Sequence, residues 1–357
     1  MIVPEIILFD PNRVWRTYPG GRVLDQLVGN KNPEDSHFPE DWIASTTKAV
    51  NKGRENIVEG ISKIELNDKQ IYLTSLFQKY PDKMLGKNHF DKYGANTQFL
   101  LKFLDSAIRL HIQVHPTISF AQKYLNSNSG KTEAYVILGI RDEVKEPYIY
   151  LGFQKKPELE LLKSTIEKQD IEMLLSFFEK IPIRQGDVFV VPGGLPHAIG
   201  EGVFMIEIME PTDFVARLEF ERGGYLLPEE SRFMGKGIDF ALNMVNFNPI
   251  SQQEIREKYF CFPQLFQQQD GGTEEILIDS GKTPCFTVHK LSVTKTFIKK
   301  SVSFYVGIVI KGEGTITTSS EQKTLKRGDK FFIPHNQKKV NYSTNNEMEI
   351  ILAFPPE

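Results

Sequence analysis

Cysteine is scarce in this chain: two residues, Cys261 and Cys285, in 357. Their spacing matches no metal-ligand motif, and two thiols do not make the disulfide framework of a small secreted fold. Both are expected to be core thiols of a protein kept in a reducing cytoplasm. Long hydrophobic runs are missing too. No stretch of about 18 apolar residues occurs, so no helical membrane span is expected. The opening MIVPEIILFDPNRVW has a short apolar part and no basic lead, and is not expected to act as a signal peptide. Neither sign of charge dominates. Lys and Arg number 43 against 46 Asp and Glu, a formal net charge of −3, which argues against nucleic acid as a partner. No internal repeat is visible and no glycine-rich phosphate loop occurs.

What is present is ordinary for a globular protein: 40% hydrophobic and 25% charged residues. The length allows two or three domains of roughly 100–200 residues. The patterning is mostly that of strands, at Ile6–Leu8, Trp42–Ser45, Gln98–Asp105, Tyr148–Phe153, Phe204–Met209 and Phe214–Glu219. Residues 69–95 read as helical, with Leu73, Leu76, Phe77 and Tyr80 on one face before Pro81. Two short helices are expected within about 157–180, the second capped by Asp170. A further helix is expected at Gln252–Tyr259. The polar stretch Gln267–Thr273 is the best candidate linker, and beyond it the pattern is all-β, with Lys311-Gly-Glu-Gly314 as a turn.

Two stretches carry chemistry. Arg109–Val114 alternates strictly, so Arg109, His111, Gln113 and His115 are expected on one face and Leu110, Ile112 and Val114 on the other. Pro116 ends the strand. Glu133 then opens a second strand that runs to Gly139. Downstream, Gly186, Pro192, Gly194 and His197 fit G-x5-P-x-G-x2-H. Glutamine, imidazole and carboxylate ligands on neighbouring strands suit a borderline divalent ion such as Zn2+, with a coordination position left open.

These two stretches resemble the paired motifs of the cupins, which are jelly-roll β-barrels. Within that superfamily LLKFLD, IQVHP, GKTEAY, GDVFVVPGGLPHAIG and the series Glu207, Asp213, Arg217 resemble type I mannose-6-phosphate isomerases of the short bacterial kind. So does Glu40-x-Trp42-x-x-Ser45. The match is good over about residues 1–220 and looser beyond. The resemblance implies a mainly β chain of two cupin barrels, with a small helical insertion in the first. The catalytic domain would be 1–250. A metal-free C-terminal cupin-like domain would be 274–357, because Asn336 and Lys339 stand where Gly328-x5-Pro334 should continue to glycine and histidine.

The resemblance further implies one Zn2+ held by Gln113, His115, Glu133 and His197. Lys131 and Arg217 would stabilise the oxyanion of a cis-enediol between mannose 6-phosphate and fructose 6-phosphate. Glu207 is either a buried partner of Arg217 or part of the proton-transfer machinery. His111 stands where the family tends to carry a small hydroxyl residue. It is a candidate to bind substrate, to hydrogen-bond a ligand, to replace Gln113 at the metal or to fill the interior. Thr117 departs from the Asp or Asn usual after His-Pro. The competing readings are a non-catalytic sugar-binding cupin, an isomerase of another or unphosphorylated sugar, and an iron oxygenase, the last weakened by Gln113. The expected partner is a sugar phosphate, and the expected state a monomer or homodimer.

Overall fold

Stretches with a period of two become strands. The computed structural model, which describes residues 3–66 and 68–356, is mainly β, with 35% strand and 18% helix. A seven-stranded sheet lies at its centre, in the order Phe260–Cys261, Val188–Val191, Glu133–Ile140, Val203–Met209, Leu100–Asp105, Glu40–Ile43, Arg13–Val14. A five-stranded sheet faces it: Ile181–Pro182, Tyr148–Leu151, His197–Ile199, Gln113–Val114, Ala216–Arg217. A ten-stranded C-terminal sheet packs on its other side. The strands form facing sheets, as in the mainly β arrangement expected, and among the described residues no sheet closes on itself.

Alternation gives each central strand two buried faces. Leu104, Tyr135, Ile137, Phe189 and Met205 point toward the five-stranded sheet and pack on its Ile149, Leu151 and Ile199. The residues between them, including Phe103, Val136, Val190 and Ile206, point toward Phe286, Val306, Phe332 and Ile351 of the C-terminal sheet. The helix Leu73–Lys79 joins that second layer through Leu73, Leu76 and Phe77. Its approach, Lys69–Tyr72, is a strand, so the helical reading of 69–95 begins too early. The helices Leu159–Lys168 and Ile171–Leu175 cover the outer face of the five-stranded sheet. Asp170 caps the second by accepting from the Met173 amide at 3.1 Å. Gln252–Tyr259 is a helix opened by a Ser251/Glu254 capping box. No helix among the described residues is long and apolar enough to cross a membrane.

Two local expectations fail for identifiable reasons. Gln267–Thr273 is not a linker: it holds the end of Gln264–Gln269, the Asp270–Gly271 turn and the start of Gly272–Ile278 in one hairpin, hidden because glutamine-rich strands lack an apolar signature. Lys311–Gly314 is no turn. It lies inside the strand Tyr305–Thr317, where Gly312 takes φ 70° beside a bulge at Val309/Lys311. A Cβ there would lie 1.9 Å from the Glu347 carbonyl oxygen, so the close approach requires glycine.

The C-terminal sheet also reaches the N-terminal part through polar contacts. Ile7–Leu8 pairs with Lys330–Ile333, and Lys330 Nζ lies 2.6 Å from the Asp41 carboxylate. Both side chains are buried. Replacing Lys330 with Met strands that carboxylate and should cost about 3 kcal/mol of unfolding free energy in a denaturant titration. Lys330→Arg should recover most of the loss, and an unchanged midpoint for Lys330→Met would show that the pair contributes nothing.

Candidate metal centre and active site

The two motif stretches meet because a tight turn docks under the end of a strand. Gly193 crosses so close to Pro116 that a Cβ would lie 2.5 Å from its carbonyl oxygen. The Gly194 amide donates to the His115 carbonyl at 2.8 Å, and the Lys131 amide to that of Pro116 at 2.9 Å. His197 is thereby set opposite Gln113 in the five-stranded sheet, while Glu133 opens the facing central strand.

His115, Glu133 and His197 converge and are all but fully buried. Their ligand atoms lie within 4.8 Å of one another. His115 Nε2 is 3.1 Å from one Glu133 oxygen and His197 Nε2 is 3.3 Å from the other. The opposite ring nitrogens fix the tautomers. His115 Nδ1 donates to the Phe214 carbonyl at 2.8 Å, and His197 Nδ1 to the Leu195 carbonyl at 2.9 Å. A carbonyl only accepts, so Nδ1 carries the hydrogen and each Nε2 presents a lone pair to the carboxylate. Three lone-pair donors turned toward one another out of water are satisfied by a cation, and this set fits a divalent ion. Burial pulls the His115 pKa down to about 4 against the attraction of Glu133, which keeps the imidazole neutral as a ligand must be. The Gln113 amide nitrogen is 3.3 Å from His197 Nε2. Reversing the amide would aim its oxygen at the same place.

Charged groups surround the centre. Lys131 Nζ lies 3.0 Å from Glu133, and the Tyr135 hydroxyl donates to Glu133 at 2.5 Å. Lys102 Nζ bridges Glu207 at 3.2 Å and Glu40 at 3.3 Å. Glu40 also accepts from Arg16 at 2.8 Å, Tyr18 at 2.5 Å and Trp42 at 2.7 Å, and Arg16 continues to Asp213 at 3.2 Å. Burial works to raise the Glu40 pKa, but Arg16 and Lys102 outweigh it and hold the carboxyl well below the usual range. Glu207 goes the other way: burial, helped by Glu133 and opposed by Lys102, pushes it up to about 8. Lys102, Lys131, Glu133, Glu207, Asp213 and Arg217 line one cavity of about 40 Å³. Asp213, Val215 and Arg217 also line a wider cavity of about 950 Å³ that opens outward.

The structure separates residues that the alternation grouped. Leu110 lines the inner cavity with Gln113, while Ile112 and Val114 face the helices, so the period slips after Leu110. Arg109 leaves the ligand face for a buried pair with Glu219 at 2.7 Å. His111 also stands apart from the inner cavity lining. Its Nδ1 donates to the Glu219 carbonyl at 3.0 Å, and its Nε2 lies 3.4 Å from the Thr17 hydroxyl. Thr117 caps the helix Ile118–Tyr124 by accepting from the Phe120 amide, the task an Asp or Asn would perform. Glu207 pairs with Lys102, not with Arg217. Among the described residues no carboxylate lies in ion-pair range of Arg217, which donates to the Ser231 carbonyl at 3.2 Å. Sequence reasoning passed over Lys102, Arg16 and Tyr18. A lysine inside the apolar run LLKFLD was the available signal; Arg16 and Tyr18 gave none.

Comparison with known proteins shows likeness in sequence and fold. The family model for the cupin domain of mannose-6-phosphate isomerase matches residues 281–355. The mannose-6-phosphate isomerase of Streptococcus mutans serotype c is 27% identical over 297 residues, covering 82% of this chain and 86% of its own. Mannose-6-phosphate isomerase ManA of Bacillus subtilis is 24% identical over 277 residues, covering 75% of this chain and 80% of its own. The crystal structure of the mannose 6-phosphate isomerase from Bacillus subtilis superposes with a TM-score of 0.74 at 19% identity, covering 98% of this chain and 99% of that one. A mannose 6-phosphate isomerase bound with zinc and yttrium gives 0.70 at 16% identity, over 99% and 100% of the two chains. Residues 281–355 thus match a mannose-6-phosphate isomerase cupin domain, and over most of its length the chain is similar to proteins named mannose-6-phosphate isomerase.

The charge network makes a pH prediction. Glu40 and Asp213 both have folded pKa values below the ordinary carboxylate values of about 4.3 and 3.9. Their contribution to stability is therefore complete above those ordinary values and is lost as pH falls through the folded ones. Urea titrations should show stability dropping below about pH 4. Glu40→Gln should flatten that acid limb while lowering stability at neutral pH. An acid limb unchanged by the substitution would remove Glu40 from the account.

Proposed function

We propose that the protein is a divalent-metal-dependent aldose–ketose isomerase interconverting mannose 6-phosphate and fructose 6-phosphate through a cis-enediol. The observation that carries this reading is a single small cavity lined by Gln113 and Glu133, by Lys102, Lys131 and Arg217, and by the Glu207 carboxyl, with His115 and His197 converging on the same Glu133. Zinc suits His115, Glu133 and His197 with Gln113 as fourth ligand, and when bound it supplies a Lewis acid that polarises the sugar oxygen.

The remaining work falls to side chains. A space of about 40 Å³ admits only the reacting end of an open-chain sugar. The rest of the substrate occupies the wider cavity, whose rim carries Lys48, Lys52 and Lys236 as counter-charges for a phosphate. Moving the carbonyl from C1 to C2 needs a proton removed from one carbon and returned to the other. Glu207, with a pKa raised toward neutrality and its carboxyl held by Lys102, fits that exchange. Lys131 and Arg217 hold positive charge where the enediolate oxygens develop, and in this buried site that charge acts with little screening. His111 serves as a brace, with both ring nitrogens engaged by Glu219 and Thr17.

The test is a coupled assay with mannose 6-phosphate on zinc-loaded protein, run beside a chelated control. Turnover should vanish with the chelator and return with zinc. Arg217→Ala should lower kcat by about 100-fold with metal content unchanged. Saturable sugar binding without product in metal-loaded protein would favour a non-catalytic sugar-binding cupin instead.

A further inference from the structure

The strand Gln264–Gln269 is the last of the ten-stranded sheet and is paired on one side only, with Gly272–Ile278. The other side of an edge strand offers N–H and C=O groups that template pairing, and soluble proteins commonly blunt such edges with charge. This edge carries none. From Phe260 to Gln269 the sequence is FCFPQLFQQQ, without one Asp, Glu, Lys, Arg or His. Its bulge, at Leu265/Gln267, interrupts the inner pairing.

Large apolar side chains stand out from the same edge. Phe262 is 73% exposed, Leu265 62% and Phe266 56%. Next to them, between the central and C-terminal sheets, lies a cavity of about 400 Å³ walled by Pro263, Leu27 and Leu277 among other apolar residues, and also by Lys290, Lys311, Arg327 and Glu349. Projecting apolar groups, a partly apolar recess and an unpaired backbone edge therefore adjoin one another, as in a face that is covered in use.

We propose that this face binds the same face of a second copy of the chain about a two-fold axis. Antiparallel pairing of Gln264–Gln269 with its own copy merges two sheets into one, sets glutamine amides against each other across the axis, and seats Phe262 and Leu265 near the copy's recess. The occupant follows from charge. An edge strand without ionised groups meets its own copy without repulsion. The strand ends are complementary as well. Asp270, loosely paired with Lys295 at 3.7 Å, lies at one end; Lys282, donating to the Phe260 carbonyl at 3.1 Å, lies at the other. Antiparallel pairing brings each Asp270 toward the copy's Lys282. Covering three such side chains on each copy removes several hundred Å² of apolar surface, roughly the core of a small stable interface.

Sedimentation velocity on the full chain at micromolar concentration tests this. The wild type should sediment at twice the 40.9 kDa chain mass. Phe266→Glu with Phe262→Ser should sediment as a monomer, with circular dichroism and metal content unchanged. Leu265→Lys, a milder change at the same edge, should weaken self-association at least tenfold and serves if the double variant misfolds. In the wild type, exchange of the 264–269 amides should slow as concentration rises. A monomeric wild type, or a dimer that survives both sets of substitutions, overturns the proposal.

Discussion

The Glu133 carboxylate is the constraint around which the N-terminal half is arranged. It is a charge removed from water between two sheets, which costs several kcal/mol unless the surroundings answer it. The answer comes from both sides: Tyr135 from its own strand and Lys131 just before it, His197 from the facing sheet and His115 just after a strand of that sheet. Each imidazole is in turn aimed by a backbone carbonyl beside it. The tight turn at Gly193 and the proline ending the ligand strand are the backbone conditions for that convergence. A centre built this way needs the two sheets held at a fixed separation, and the packing of Tyr135, Phe189 and Ile199 between them supplies it.

The second buried polar layer has a different logic. Glu40, Lys102, Glu207, Arg16 and Asp213 form a chain of alternating charge along the cavity wall, each ion answered by its neighbours. Such chains add little net stability over an apolar wall. They fix charges in space and set protonation apart, with Glu40 held ionised and Glu207 pushed toward neutrality. The alternation that turns Glu40 and Trp42 to this wall turns Asp41 to the opposite face, where Lys330 of the C-terminal sheet meets it. The part that carries the candidate metal centre and the C-terminal sheet thus share a core rather than a hinge.

Local signals in the sequence explain what was legible and what was not. His115, Glu133 and His197 were readable because strand period and turn residues fix their direction, and Asp170 and Ser251 because caps are local. The slip at Leu110, which takes Arg109 and His111 away from the cavity, depends on Glu219, far away in sequence. Lys102 and Arg16 gained meaning only once Glu40 and Glu207 stood beside them. The hairpin at Gln264–Ile278 was hidden because glutamine-rich strands show no apolar alternation. The mainly β class was legible in the strand patterning, whereas sheet closure depends on pairings far apart in sequence, and among the described residues no sheet closes.

The account rests on the convergence of His115, Glu133 and His197 being a metal centre, and X-ray absorption at the zinc edge on zinc-reconstituted protein tests that most directly. The account predicts one zinc per chain in a shell of nitrogen and oxygen only, with the multiple-scattering signature of two imidazoles, and loss of that signal in Glu133→Ala. A sulfur-containing shell, or an unchanged spectrum in Glu133→Ala, would place the metal elsewhere and contradict it.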